Sequence, residues 1–224
     1  MNGNAVKMAA ADAKRQLMAV AAGKLGANIV YDLDMTDRWF HLVDRPERGF
    51  SYYDIVKQAI RGNDGEAIIG RGHYTPHRKG MISPAYSFGV QAAEVEVDPE
   101  TGRYKLLNVS TAHGSGTVIN RVGIEGQLEG AIMMAGGYGL CEDQPMDKGK
   151  ILNPSFDDYK LIRSLDMPET KILEIESYEP EGPFGAKEAG EGLTNPTAGA
   201  IGNAIYKAVG VRINDLPITP EKVF

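Results

Sequence analysis

Gly182-Pro183-Phe184-Gly185-Ala186-Lys187-Glu188-Ala189-Gly190-Glu191-Gly192 sets a lysine and two carboxylates among four glycines and a proline. That composition rules out a regular helix or a central strand. It permits a tight loop whose backbone backs closely onto another body. The carboxylates suit proton transfer. Beyond the loop, Ala200, Ile201, Ala204, Ile205 and Ala208 recur at helical spacing, and Pro196 suits a first turn, so a helix is expected from Pro196 to Val209. A glycine-rich loop running into a helix N-terminus is a place to hold an anionic ligand. The same residues also read as a solvated turn with charges on it.

A second stretch, His113-Gly114-Ser115-Gly116 followed by Gly123-Ile124-Glu125-Gly126-Gln127-Leu128-Glu129-Gly130, carries the other candidate groups. Ile124, Leu128, Ala131, Ile132 and Ala135 form a helical stripe. Glycine in an exposed helix costs about 1 kcal/mol, so those at 123, 126 and 130 predict close packing against a helix or a ligand. The amide of Gln127 can both donate and accept, as a heterocycle edge requires. A buried glutamine satisfied by backbone is the alternative. His73 and His77 stand four apart, but Pro76 between them argues against the helix that would aim both at one metal.

The remaining elements must position these groups. Asn4 to Leu25 is Ala-rich and helical in spacing, with Gly26 as its stop. Asn28–Tyr31 and Trp39–Val43 read as short strands. Ser51 caps a helix to Ile60, with Asp54 three residues on and Gly62 at its end. Glu66–Tyr74 reads as a strand and 75–84 as turn-rich. Tyr86–Val97 and Arg103–Thr111 form a hairpin about Asp98-Pro99-Glu100-Thr101-Gly102, and Lys171–Tyr178 is a further alternating strand. The expected fold is α+β, mixed sheets with packed helices, with no linker or repeat to mark an internal boundary across residues 1–224.

Composition narrows the function. The chain is 42% hydrophobic and 24% charged, ordinary for a soluble globular protein. A net charge of −6 with no basic run excludes a nucleic-acid footprint. No apolar run approaches the ~20 residues of a membrane span. The polar start, with no signal peptide, and the single cysteine, Cys141, point to a cytoplasmic protein. One cysteine cannot ligate an all-cysteine iron–sulfur cluster.

Gly185-Ala186-Lys187-Glu188-Ala189-Gly190-Glu191, the Ala-rich helix after it, Gly210-Val211-Arg212-Ile213 and Leu216-Pro217-Ile218-Thr219-Pro220-Glu221-Lys222-Val223 together resemble the C-terminal end of the molybdenum hydroxylases, the xanthine dehydrogenase and aldehyde oxidase superfamily. The Lys-Glu-Ala-Gly-Glu-Gly form is most similar to the large subunit of 4-hydroxybenzoyl-CoA reductase and its relatives. Gly126-Gln127 with Glu129-Gly130 resembles the family helix whose glutamine bonds the pterin. The resemblance implies the C-terminal half of a molybdopterin-binding domain, with Glu191 as catalytic general base. Gln127, Gly126, Gly190 and Lys187 are implied to lie at the cofactor, and Glu188 to be a supporting or surface charge. The implied cofactor is a molybdenum pterin, as molybdopterin or its cytosine dinucleotide. The cofactor ligates the molybdenum, so no protein metal ligand is expected. Reductive removal of a ring hydroxyl is the implied reaction, on a small aromatic substrate that includes a CoA thioester among the candidates. Hydroxylation of an N-heterocycle or aldehyde is the second reading, and a non-catalytic half-subunit the third. The first helix resembles a segment inside the family's large subunit, which implies a split subunit or a cut chain. Expected partners are the upstream half, an iron–sulfur subunit and a flavin subunit carrying FAD, without which the chain is inactive. One departure from the family pattern is His113, where aspartate is common.

Overall fold

The computed structural model describes residues 2–28, 32–62, 65, 67–77 and 85–224. All of the expected strand Asn28–Tyr31 except Asn28 lies outside the described residues, as does 78–84 of the turn-rich stretch. The chain separates into two compact units, 1–81 and 82–224.

In the first unit, α1 (Asn2–Leu25) ends at Gly26, whose φ of 67° is left-handed. β1 (Leu33–Thr36), β2 (Trp39–Leu42) and β3 (Gly49–Ser51) form an antiparallel sheet, and α2 (Tyr52–Gly62) follows it directly. Ser51 caps α2 as the sequence predicts: the Asp54 amide donates to its Oγ at 3.1 Å, and its hydroxyl donates to Asp54 Oδ2 at 2.6 Å. Leu17, Ala21, Phe40, Ile55 and Ala59 close the core.

Residues 67–74 are no strand, contrary to the expectation for Glu66–Tyr74. Side chains of α1, in place of a neighbouring strand, bond to this stretch. Gln16 Nε2 donates to the Ile69 carbonyl at 2.9 Å, and the Arg71 amide donates to Asp12 Oδ2 at 3.0 Å. Hydrogen bonds from Arg15, from the Arg71 backbone and from Gln16 pull the Asp12 carboxyl down to about 2. A carboxyl depressed on folding stabilises the folded form above its unfolded value, about 4, and that contribution disappears as pH falls through the folded value. The Arg71 amide is therefore expected to lose protection, relative to its intrinsic exchange rate, as pH drops from about 4 to about 2, and Asp12→Asn to weaken that protection throughout. Hydrogen exchange read at Arg71 checks this.

In the second unit, β4 (Gly89–Val97), β5 (Tyr104–Gly116) and β8 (Glu169–Glu176) form one mixed sheet in the order β4-β5-β8. β4 and β5 are the predicted antiparallel hairpin, closed by Val97 opposite Tyr104. Asp98 organises its turn by accepting from the Glu100 amide at 2.9 Å and the Thr101 hydroxyl at 2.7 Å. β8 runs parallel to β5 after a crossover through α3 (Arg121–Leu140) and the short ribbon β6 (Met146–Asp147) with β7 (Lys150–Ile151). α4 (Thr194–Val209) and α5 (Pro220–Val223) complete the unit. Ile132 of α3, Ile201 and Ile205 of α4, and Leu106 and Val109 of β5 share one core. Burying each such side chain fully is worth about 1.5–3 kcal/mol.

No described helix packs on the glycines at 126 and 130, where an added Cβ would meet no described atom within 4 Å, and one at Gly123 would meet only Asn120. The close helix approach is instead at Gly139, where a Cβ would stand 3.3 Å from Ala198 Cβ on α4. β8 also turns Leu173 and Ile175 outward, at 62% and 53% exposure, beside exposed Phe88 and Val90 of the β4 side. The apolar residues of that strand thus supply two faces rather than one. Among the described residues no helix is long and apolar enough to cross a membrane.

Candidate active site

The loop 182–192 is held at both ends by backbone bonds to the sheet or to its own helix. The Lys187 amide donates to the Ser115 carbonyl at 2.7 Å, and the Thr117 amide to the Gly185 carbonyl at 2.9 Å. Gly116 and Ala186 pair as an isolated antiparallel bridge between those bonds. Past Glu191–Leu193, a single 3-10 turn, the Leu193 carbonyl accepts from Thr197 Oγ1 at 2.8 Å and Gln91 Nε2 at 3.4 Å. The Thr194 hydroxyl donates to the Glu191 carbonyl at 2.7 Å. The loop therefore enters α4 about where the sequence places it, with the helix beginning at Thr194 rather than Pro196.

Packing explains why Gln127 and Glu191 come together. Leu128, next to Gln127, and Leu193, two residues past Glu191, are both fully buried and share a cluster with Ala131. Their polar neighbours are left at its rim: Gln127 and Glu191 are both exposed. A Cβ added at Gly190 would stand 3.9 Å from Gln127 Oε1, so the amide faces the backbone just before Glu191. A buried, backbone-satisfied glutamine is not what the structure contains. Gly126 borders open space on the same helix.

Lys187 is more engaged than the sequence suggests. Its ammonium donates to the Tyr86 carbonyl at 3.1 Å and stands 5.5 Å from the centre of the Phe88 ring. Glu188 bends back into its own loop, with Oε2 accepting from the Gly190 amide at 2.9 Å and Oε1 from the Ser87 hydroxyl. Tyr138 and Phe184 are exposed, at 61% and 62%.

Beneath the loop lies His113, which is 1% exposed. Its Nδ1 is 2.9 Å from Ser115 Oγ, and its Nε2 has no hydrogen-bond partner among the described residues. Burial pushes the imidazole pKa below its ordinary value; Glu188 pulls it up and Lys187 adds to the lowering. Sequence reasoning did not connect Ser87 or Gln91 with this loop. The available signal was polar side chains on strands otherwise built to bury apolar ones. A cavity of about 1020 Å³, lined in part by Tyr104, Leu140, Cys141, Tyr159 and Met167, holds none of the predicted site residues.

Comparison with known proteins gives this geometry a family. The pattern of the molybdopterin cofactor-binding domain matches residues 1–168. The xanthine dehydrogenase molybdenum-binding subunit of Escherichia coli O157:H7 is 30% identical over 98% of the chain and 29% of its own length. Quinoline 2-oxidoreductase from Pseudomonas putida 86 superposes with a TM-score of 0.77 at 26% identity, over 95% of this chain and 28% of that one. The fold is also that of the Cu,Mo-CO dehydrogenase, with a TM-score of 0.80 at 22% identity over 100% of this chain and 28% of that one. The chain thus spans under a third of the length of these relatives. With its mixed sheet, packed helices and matching pattern, the chain belongs to the molybdopterin cofactor-binding domain family.

Proposed function

We propose that this chain forms part of the cofactor-binding wall of a molybdenum-dependent oxidoreductase, with Glu191 as its general base. The observation that carries this reading is the juxtaposition of two exposed groups, the Gln127 amide and the Gly190–Glu191 backbone, over one buried floor. The residues present fit a pterin. Gln127 offers a donor and an acceptor, and open space borders Gly126 where a ring system can approach. Gly190, without a side chain, keeps the gap before Gln127 clear. Lys187, already bound to a carbonyl, supplies positive charge near the site rather than a free hand to the cofactor. When bound, the molybdenum cofactor supplies the two-electron oxidation–reduction chemistry. Glu191, whose carboxylate is exposed, would accept a proton at a carboxylate oxygen during that chemistry.

Oxidation of an N-heterocycle or aldehyde is the substrate reading that relatives acting on xanthine and quinoline favour. Reductive dehydroxylation of an aromatic CoA thioester rests on the spelling Lys187-Glu188-Ala189-Gly190-Glu191-Gly192 alone. The apolar face at Phe88, Val90, Leu173 and Ile175 supports a cover from the rest of a molybdopterin subunit. Iron–sulfur and flavin subunits complete the proposed electron path, because the single cysteine cannot hold a cluster.

The test is to isolate the chain with its co-purifying subunits, count molybdenum and pterin, and assay N-heterocycles, aldehydes and 4-hydroxybenzoyl-CoA. In that complex Gln127→Ala is expected to lower pterin retention several-fold with little change in melting temperature, since one ligand hydrogen bond contributes about 1 kcal/mol. Equal occupancy in both proteins would remove Gln127 from the cofactor site.

A further inference from the structure

The cavity of about 1020 Å³ lies at the start of β5, under residues 156–167, which form an arch without regular helix or strand. It is about 30 Å along the strand from His113. Three contacts pin the arch to the C-terminal end of α3. Ile162 packs where the helix has no side chain: a Cβ at Gly136 would stand 3.3 Å from Ile162 Cδ1. The Cys141 thiol donates to the Lys160 carbonyl at 3.5 Å, and the Tyr159 hydroxyl donates to Glu142 Oε2 at 2.6 Å. The volume stands at the upper end of the ~300–1,000 Å³ of small-molecule sites. Its walls are largely carbon, from Leu106, Leu140 and Met167 and the rings of Tyr104, Tyr159 and Phe156. Three lining side chains of the arch, Phe156, Leu161 and Leu165, are also 78%, 48% and 91% exposed, so apolar surface stands at the mouth.

The polar groups of the lining decide what a guest must carry. Tyr104 and Tyr159 spend their hydroxyl protons on the Ile218 carbonyl and on Glu142. Lys160 donates to the Asp157 carbonyl, and Arg163 pairs with Asp166 at 3.0 Å. Arg103 and Lys105 are left: both line the cavity, and neither side chain makes a hydrogen bond or ion pair among the described residues. Arg103 only adds, as the least of several causes, to the lowering of the Asp98 carboxyl. Because Asp166 is the one lining carboxylate and is already paired, the lining is net positive in a chain whose net charge is −6.

We propose that this cavity binds a small organic anion, an apolar ring-sized body carrying one carboxylate, with the body between β5 and the arch and the head at Arg103 and Lys105. The planar fork of an arginine meets a carboxylate with two parallel bonds, and a lysine beside it adds a point charge. A peptide segment is the poorer guest, because it would bring backbone amides and carbonyls against carbon walls whose hydroxyl donors are already spent. The site owes nothing to the assignment of Glu191.

The test uses the complex isolated with its co-purifying subunits, and 2-naphthoate as the probe. Saturable binding is expected. 2-Naphthylmethanol, the same body without the charge, and inorganic phosphate, a charge without the body, are each expected to bind about tenfold more weakly or worse. Cys141, the single cysteine of the chain, lines the cavity and reports where the probe sits. Its alkylation by iodoacetamide, read by mass spectrometry on its own peptide, is expected to slow on the order of tenfold at saturating 2-naphthoate, because the thiol loses access. Lys105→Gln is expected to weaken 2-naphthoate about tenfold, through loss of a charge-assisted bond, and to leave 2-naphthylmethanol unchanged. Leu161→Asp, which sets a carboxylate at the mouth, is expected to weaken both. Lys105 and Leu161 are exposed, so both variants give folded protein to read. Equal affinity for the two naphthalene probes, binding that leaves Cys141 alkylation unchanged, or wild-type affinity in Lys105→Gln would each overturn the proposal. So would binding by the separate chain that the complex lacks, because a protein segment would then fill the arch in the assembly. Turnover is not read, so failure of this site and failure of Glu191 as base are separable.

Discussion

Glu191→Gln is expected to lower turnover of the assembled enzyme at least ~10²-fold while molybdenum and pterin content stay at the wild-type level. Glutamine is nearly isosteric with glutamate but cannot accept a proton at neutral pH. The carboxylate is exposed at the rim and makes no hydrogen bond or ion pair among the described residues; the bonds that seat its residue run through its backbone carbonyl and through Leu193. Loss of turnover therefore cannot be put down to loss of fold. Turnover and metal content measured on one preparation decide the matter. Wild-type rates in a molybdenum-replete Glu191→Gln enzyme would end the assignment. Glu188→Gln is the informative companion. It also removes a carboxylate from the loop, but one that accepts from Ser87 and Gly190, so it should loosen the loop and cost much less than the base itself.

Gly116→Ala is expected to cost a large share of the stability of the loop's seat. Gly116 has a φ of 73°, and a Cβ there would fall 2.4 Å from the Gly185 carbonyl oxygen and 2.7 Å from the Lys187 nitrogen. A left-handed conformation costs a non-glycine residue about 1–2 kcal/mol. The clash also pries apart the bonds Lys187 to Ser115 and Thr117 to Gly185, each worth about 1 kcal/mol. The expected loss is about 3–4 kcal/mol in chemical denaturation, with the 182–192 loop displaced and amide protection lost at Lys187. The control is Gly130→Ala, where a Cβ meets nothing within 4 Å inside α3, and a gain of up to about 1 kcal/mol is expected. A Gly116→Ala protein as stable as wild type would show that the loop is not seated on β5 through this bridge.

Much of the fold was legible where one local pattern implied one partner. The β4–β5 hairpin followed from period-two alternation meeting Asp98–Gly102, and the buried stripe of α3 from Leu128, Ala131, Ile132 and Ala135. The stretch 67–74 shows the limit. Alternation reports extended backbone but not whether its neighbour is a strand or a helix, and here Asp12 and Gln16 of α1 supply the bonds. The glycines of α3 show a second limit. Their presence signals close approach, yet only the fold reveals that Gly139 meets α4 while Gly126 and Gly130 face open space. In the candidate site, the motifs singled out Gln127 and Glu191, and the fold brings the Gln127 amide up to Gly190. The place of His113 was not legible, because its neighbours Glu188 and Gly192 are distant in sequence and only the return of the loop onto β5 brings them over it.

The shared floor of Leu128, Ala131 and Leu193 has a consequence for how such a site can diversify. Adjacent positions answer to different demands: Leu128 and Leu193 to volume, Gln127 and Glu191 to chemistry. Exchanging a rim residue creates no void, whereas a large-to-small change in the floor costs about 2–5 kcal/mol. Drift and selection can thus sample new reactivity at the rim from an unchanged foundation. A library that varies the rim and spares the three floor residues should yield mostly folded proteins, and one that varies the floor mostly unfolded ones.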